Sequence, residues 1–109
     1  MDYCKHISDA MGTRVDKPFK ATLFEGRHLF LGVNVLAPGQ SQALHTHPLQ
    51  DKFCFVHAGR GHFEVGASTL ETRPGDVVFM PANVPHGVAN RGTEQLVFLM
   101  GISQTPHHH

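Results

Sequence analysis

A chain of 109 residues with nine basic and nine acidic side chains has no formal net charge, and 40% of it is hydrophobic. That length suits one domain with a real core. The charge balance leaves no electrostatic footprint for nucleic acid or an anionic membrane.

No run of eighteen apolar residues is present to span a bilayer. The opening residues lack the basic and apolar regions of a secretory signal. The two cysteines, Cys4 and Cys54, form neither a framework nor a close pair. A reduced, cytoplasmic setting is therefore expected.

Residues 1–17 read as a flexible arm or short helix. Ile7 and Met11 stand one helical turn apart, and Gly12 and Thr13 end the segment. From Pro18 the texture changes to short runs rich in Val, Leu and Phe: Phe19 to Phe24, His28 to Ala37 and Ala43 to His47. Further runs follow at Phe53 to His57, His62 to Val65, Thr69 to Thr72 and Asp76 to Met80, then Gly87 to Ala89 and Gln95 to Ile102. Gly, Pro and Asn punctuate them, as at Pro38-Gly39, Pro74-Gly75 and Asn90 to Gly92. Short strands at such spacing predict an all-β antiparallel sandwich or barrel over residues 18–103. No sustained helical period, internal repeat or linker divides it. Residues 104–109 form a tail, and His107 to His109 resemble a purification-tag remnant.

Chemistry concentrates in two stretches. Between Gly39 and Gly59 lies a His-x-His pair, His45 and His47. On an extended segment their rings share a face, so both can offer neutral nitrogens to one metal ion. The bland alternative is two half-exposed histidines beside the turn at Pro48. Downstream, an apolar strand after Gly75 ends at Pro81, and His86 opens the next strand ahead of Asn90.

Together the two stretches resemble the cupin family. Its first motif is Gly, five residues, His-x-His, three or four residues, Glu, six residues, Gly. Its second is Gly, five residues, Pro-x-Gly, two residues, His, three residues, Asn. Gly39, His45, His47 and Gly59 match the first. Gly75, Pro81, His86 and Asn90 match the second, with Asn83 in the place of a glycine. Asn tolerates the left-handed conformation that such a turn demands.

The resemblance covers about residues 28 to 102. It implies a small antiparallel jelly-roll barrel with His45, His47 and His86 pointing inward to hold one divalent transition metal. Softness permits Fe, Mn, Ni, Co, Cu or Zn. His57 and His62, beside the Gly59 turn, are expected to face solvent.

One departure stands out. Lys52 occupies the place of the family's ligand glutamate, and an ammonium cannot ligate. Asp51 can substitute through a bulge, Gln50 shares the strand parity of Lys52, or the site has three histidines alone. The last is favoured.

Lys52 is then a candidate catalytic residue, pairing with a substrate carboxylate or enolate or moving a proton. Its alternative is an outward salt bridge. Cys54 shares its parity, as a pocket thiol or a small hydrophobe. The resemblance suggests a metal-dependent enzyme, foremost a dioxygenase, acting on a small anionic or chelating molecule. Isomerase or lyase chemistry and a non-catalytic ligand-binding or sensing module stay open. A homodimer joined through an apolar sheet face is expected, with no nucleic acid or membrane partner.

Overall fold

The computed structural model describes residues 2–104. The arm makes one 3-10 turn, Ile7–Ala10, opened by His6, whose ring Nδ1 accepts from the Ser8 amide at 3.2 Å. Nine strands follow: β1 Phe19–Glu25, β2 Leu29–Leu36, β3 Ser41–His45, β4 Lys52–Ala58, β5 His62–Val65, β6 Ser68–Glu71, β7 Val77–Met80, β8 His86–Ala89 and β9 Leu96–Ser103. All pairings between them are antiparallel. One sheet has the order β1-β2-β9-β4-β7 and the other β3-β8-β5-β6. This is the all-β jelly roll that the punctuated runs predict. No helix among the described residues is long and apolar enough to cross a membrane.

Between the sheets, Leu36, Cys54, Val56, Phe63, Val78, Met80, Val88, Leu96 and Phe98 form the inner core. Phe63 and Phe98 meet edge to face, with centroids 5.8 Å apart. A second cluster, Leu23, Val33, Val35 and Val97 with Ala10 of the arm, covers the outer face of β1, β2 and β9. The middle of the five-stranded sheet is thus buried on both sides. That is why β2 and β9 read as nearly continuous apolar runs, whereas β4 alternates. The arm docks through Ile7 and Ala10; Met11, expected to share that face, is 40% exposed. A 3-10 turn brings residues three apart into line, where an α-helix would align residues four apart.

Turn chemistry holds the barrel ends. Gly59 sits at φ +78°, and a Cβ there would lie 2.2 Å from the Gln95 carbonyl oxygen, so only glycine fits. Asn83 adopts φ +67°, the left-handed conformation foreseen for its position. Asn90, 1% exposed, donates from Nδ2 to the carbonyls of Leu36 and Glu94, each at 2.8 Å. Its Oδ1 accepts from the Gly92 amide. It staples the β8–β9 turn and takes no part in the site.

One orientation differs from expectation. His62 is only 8% exposed. It lies on the outer face of the four-stranded sheet, hydrogen-bonded to Glu71 across the β5–β6 pair with Glu64 at 3.8 Å. The hairpin register, invisible from the Gly59 turn alone, supplies that partner. His57 is exposed, as anticipated. Residues 105–109, including the histidine run, lie outside the described residues.

Candidate metal centre

β3 ends at His45, so His47 lies just beyond the strand and not on it, contrary to the extended His-x-His reading. The turn at Pro48 takes over, and the His47 carbonyl accepts from the Asn83 amide at 2.9 Å. The rings nevertheless converge. His86, at the start of β8, pairs with His45 in register, and ring centroids are 4.5 Å apart for that pair. They are 4.7 Å apart for His45 and His47 and 5.5 Å for His47 and His86. One ring nitrogen from each of the three lies within 4.8 Å of the other two.

Hydrogen bonds behind the rings set which nitrogen faces forward. His45 Nδ1 lies 2.9 Å from the Ala43 carbonyl oxygen, and His86 Nδ1 lies 3.3 Å from that of Val84. A carbonyl only accepts, so Nδ1 carries the proton in both and each Nε2 presents a lone pair. His86 Nε2 is buried without a hydrogen-bond partner. His45 Nε2 and His47 Nε2 face each other at 3.0 Å. That is about the separation of two nitrogens sharing one ion at the usual metal–nitrogen length of ~2.1 Å. An orphaned buried nitrogen beside two converging ones is costly unless a cation satisfies them. The donor set fits a metal ion.

Electrostatics favour the neutral form of His47 and His86, the form in which an imidazole ligates. Burial, then the neighbouring His45 and Lys52, lowers the His47 pKa. Burial is also the main cause lowering His86.

Lys52 opens β4 and is 8% exposed, facing inward with Cys54 and Val56. No carboxylate pairs with its ammonium among the described residues. Burial lowers its pKa. Burial likewise pushes the Cys54 thiol up to about 12, which makes it an inert core hydrophobe. Asp51 is committed elsewhere: its Oδ1 accepts from the Ala82 amide at 2.9 Å. Among the described histidines, cysteines and carboxylates, the cluster holds three histidines and no acid. Sequence reasoning misses the residues in front of the centre, a cleft of about 830 Å³ that the N-terminal segment and β1 share with His45, His47 and Lys52.

Known proteins share this fold. The cupin domain family matches residues 32–102. The crystal structure of TT1209 from Thermus thermophilus superposes with a TM-score of 0.89 at 27% identity, covering 94% of this chain and 98% of that one. A predicted oxalate decarboxylase from Thermotoga maritima superposes at 0.76 with 25% identity, covering 81% of each. Oxalate decarboxylase OxdC of Bacillus subtilis is 29% identical over 99 residues, 86% of this chain but 23% of that protein. The chain spans about half or less of the length of several curated relatives it matches.

Proposed function

The chain belongs to the cupin family, and we propose that it is a mononuclear metal-dependent enzyme acting on a small organic anion. His45, His47 and His86 hold the metal. The observation that carries this reading is the orphaned, buried Nε2 of His86 aimed at two convergent ring nitrogens. Beside them stands an inward ammonium with no counterion among the described residues. A divalent transition metal held by these three histidines would supply Lewis acidity and, if redox-active, redox chemistry with dioxygen. Lys52 pairs with the substrate carboxylate, orients it and offers Nζ to hold or release a proton. Met100 and Ile102 line the cleft wall and exclude water from one side.

Dioxygenase chemistry is the leading reading. Non-oxidative decarboxylation is the second, favoured by the similarity to proteins named as oxalate decarboxylases. Oxygen uptake and carbon dioxide release by iron- and manganese-loaded protein, assayed with small carboxylic acids, separate them. Oxygen consumption that disappears in His86→Ala supports the first; carbon dioxide release without oxygen consumption supports the second. Tight acid binding with neither product points to a non-catalytic binding module. Both cysteines are free, which suits a reducing, cytoplasmic compartment.

The expected partner is a second copy. β7 is an edge of the five-stranded sheet. On its outer face Phe53 pairs with Phe79 and Phe55 with Val77; Phe55, Val77 and Phe79 are 38%, 63% and 59% exposed. An apolar face beside an open edge is a liability that association removes. Light scattering should report a mass of twice 12.0 kDa, falling to the monomer in Phe55→Lys/Phe79→Lys. A wild-type monomer at micromolar concentration and above defeats the dimer.

A further inference from the structure

We infer that the cleft selects an organic acid with two separated anionic groups. One is taken at the histidine–Lys52 end and the other by Lys17 and Lys20 at the mouth. The inner half of this assignment rests on the proposed metal centre; the outer half does not.

Among the described residues the cleft wall carries Arg14, Lys17, Lys20 and Lys52 and not one Asp or Glu. Arg14 is already matched, forming a two-pronged bond to Asp16 at 2.9 and 3.0 Å. Three lysines remain, without ion-pair partners among the described residues. Lys20 lies close enough for its charge to act on Lys52. Like charges around one cavity repel, and a dianion placed between them relieves the repulsion. Gln42 on β3 lines the same cleft, and its amide Nε2 is buried without a hydrogen-bond partner.

The outer cations are also held in place. Gln40, in the β2–β3 turn, donates from Nε2 to the Arg14 carbonyl at 2.8 Å and accepts from the Ala37 amide at 2.8 Å. Gly12 lies so near the Phe19 ring that an added Cβ would sit 2.7 Å from it. The segment leading to Lys17 is thus fastened to the barrel beside the cleft. A volume of about 830 Å³ lies in the ~300–1,000 Å³ range of sites that enclose drug-sized ligands. A two-carbon diacid fills only the inner end.

Calorimetric titration with glutarate, pentanoate and oxalate, on metal-loaded and metal-free protein, tests the assignment. Wild-type protein should bind glutarate about tenfold more tightly than pentanoate, as expected for added charge-assisted hydrogen bonds. Oxalate should not share that advantage. Lys17→Gln/Lys20→Gln should bring glutarate and pentanoate to equal affinity, with metal content unchanged. Gln40→Ala, which frees the arm but keeps every lysine, should erode the preference as well.

Equal affinity for glutarate and pentanoate, a preference that survives the double substitution, or no binding of either acid overturns the inference. If the chain takes up no metal yet still prefers glutarate, the metal centre fails and the dianion cleft stands. If metal loads and the two acids bind alike, the reverse holds.

Discussion

Replacing His86 with alanine removes most of the thermal stabilisation that a bound metal gives the wild-type chain. Outer-sphere changes around metal ligands already lower affinity by about 10–100-fold. Deleting a ligand should therefore weaken binding by at least about a hundredfold. At a metal concentration a hundred times Kd, binding stabilises the native state by about 2.7 kcal/mol. For a domain of this size that amounts to roughly ten degrees or more in Tm. Calorimetric scans with and without metal should show that shift in the wild type and at most about two degrees in His86→Ala. His86→Gln, which keeps more of the side-chain volume, guards against simple misfolding.

The same scans carry a pH signature. His47 and His86 have folded-state pKa values below the ordinary 6.5, so the unfolded chain binds more protons as pH falls through that value. Stability of the metal-free protein should decline below about pH 6.5. Metal affinity should decline with it, as protons compete for the nitrogens. An unchanged metal shift in His86→Ala refutes the assignment of this ligand.

Changing Lys52 separates metal binding from anion binding. Lys52→Met should leave metal affinity nearly intact, because the ammonium contributes no bond to the ion. Carboxylate affinity should fall roughly ten- to a hundredfold, the equivalent of the ~1.5–3 kcal/mol typical of a hydrogen bond to a charged group. Metal-free Lys52→Met should also be more stable than the wild type, since it removes a buried charge without a counterion. Lys52→Glu should tighten metal binding by adding a fourth ligand and weaken carboxylate binding beside it. In the wild type, burial lowers the Lys52 pKa. Anion binding should therefore fade as pH rises towards the usual lysine range, earlier than an exposed lysine would allow. Loss of the metal in Lys52→Met, or coordination by Asp51 or Gln50, would refute the three-histidine shell.

The strands were legible because turn residues bracket nearly every one. Gly75 before β7, Pro81 after it and the Gly59–Gly61 turn between β4 and β5 are local signals that tertiary packing reinforces. The parity of Lys52, Cys54 and Val56 was legible for the same reason: β4 is regular, and one of its faces is apolar. His86 could be found only through its motif spacing, since nothing local marks a lone histidine as a ligand. The position of His47 off the strand was not legible, because alternation holds only while the chain stays extended, and the turn at Pro48 ends that. His62 was misjudged because its partner Glu71 comes from another strand. Nothing in the sequence set Lys17, before the first strand, or Lys20, within it, beside the histidines. Lys17 lines the cleft on a segment whose Arg14 carbonyl is held by Gln40, far along the chain.

Elemental analysis after reconstitution with a single divalent transition metal, on a chain ending before His107, tests the metal centre most directly. One equivalent per chain in the wild type and essentially none in His86→Ala is the predicted result. A wild-type chain that takes up no metal, or a His86→Ala chain that loads as well as the wild type, would contradict it.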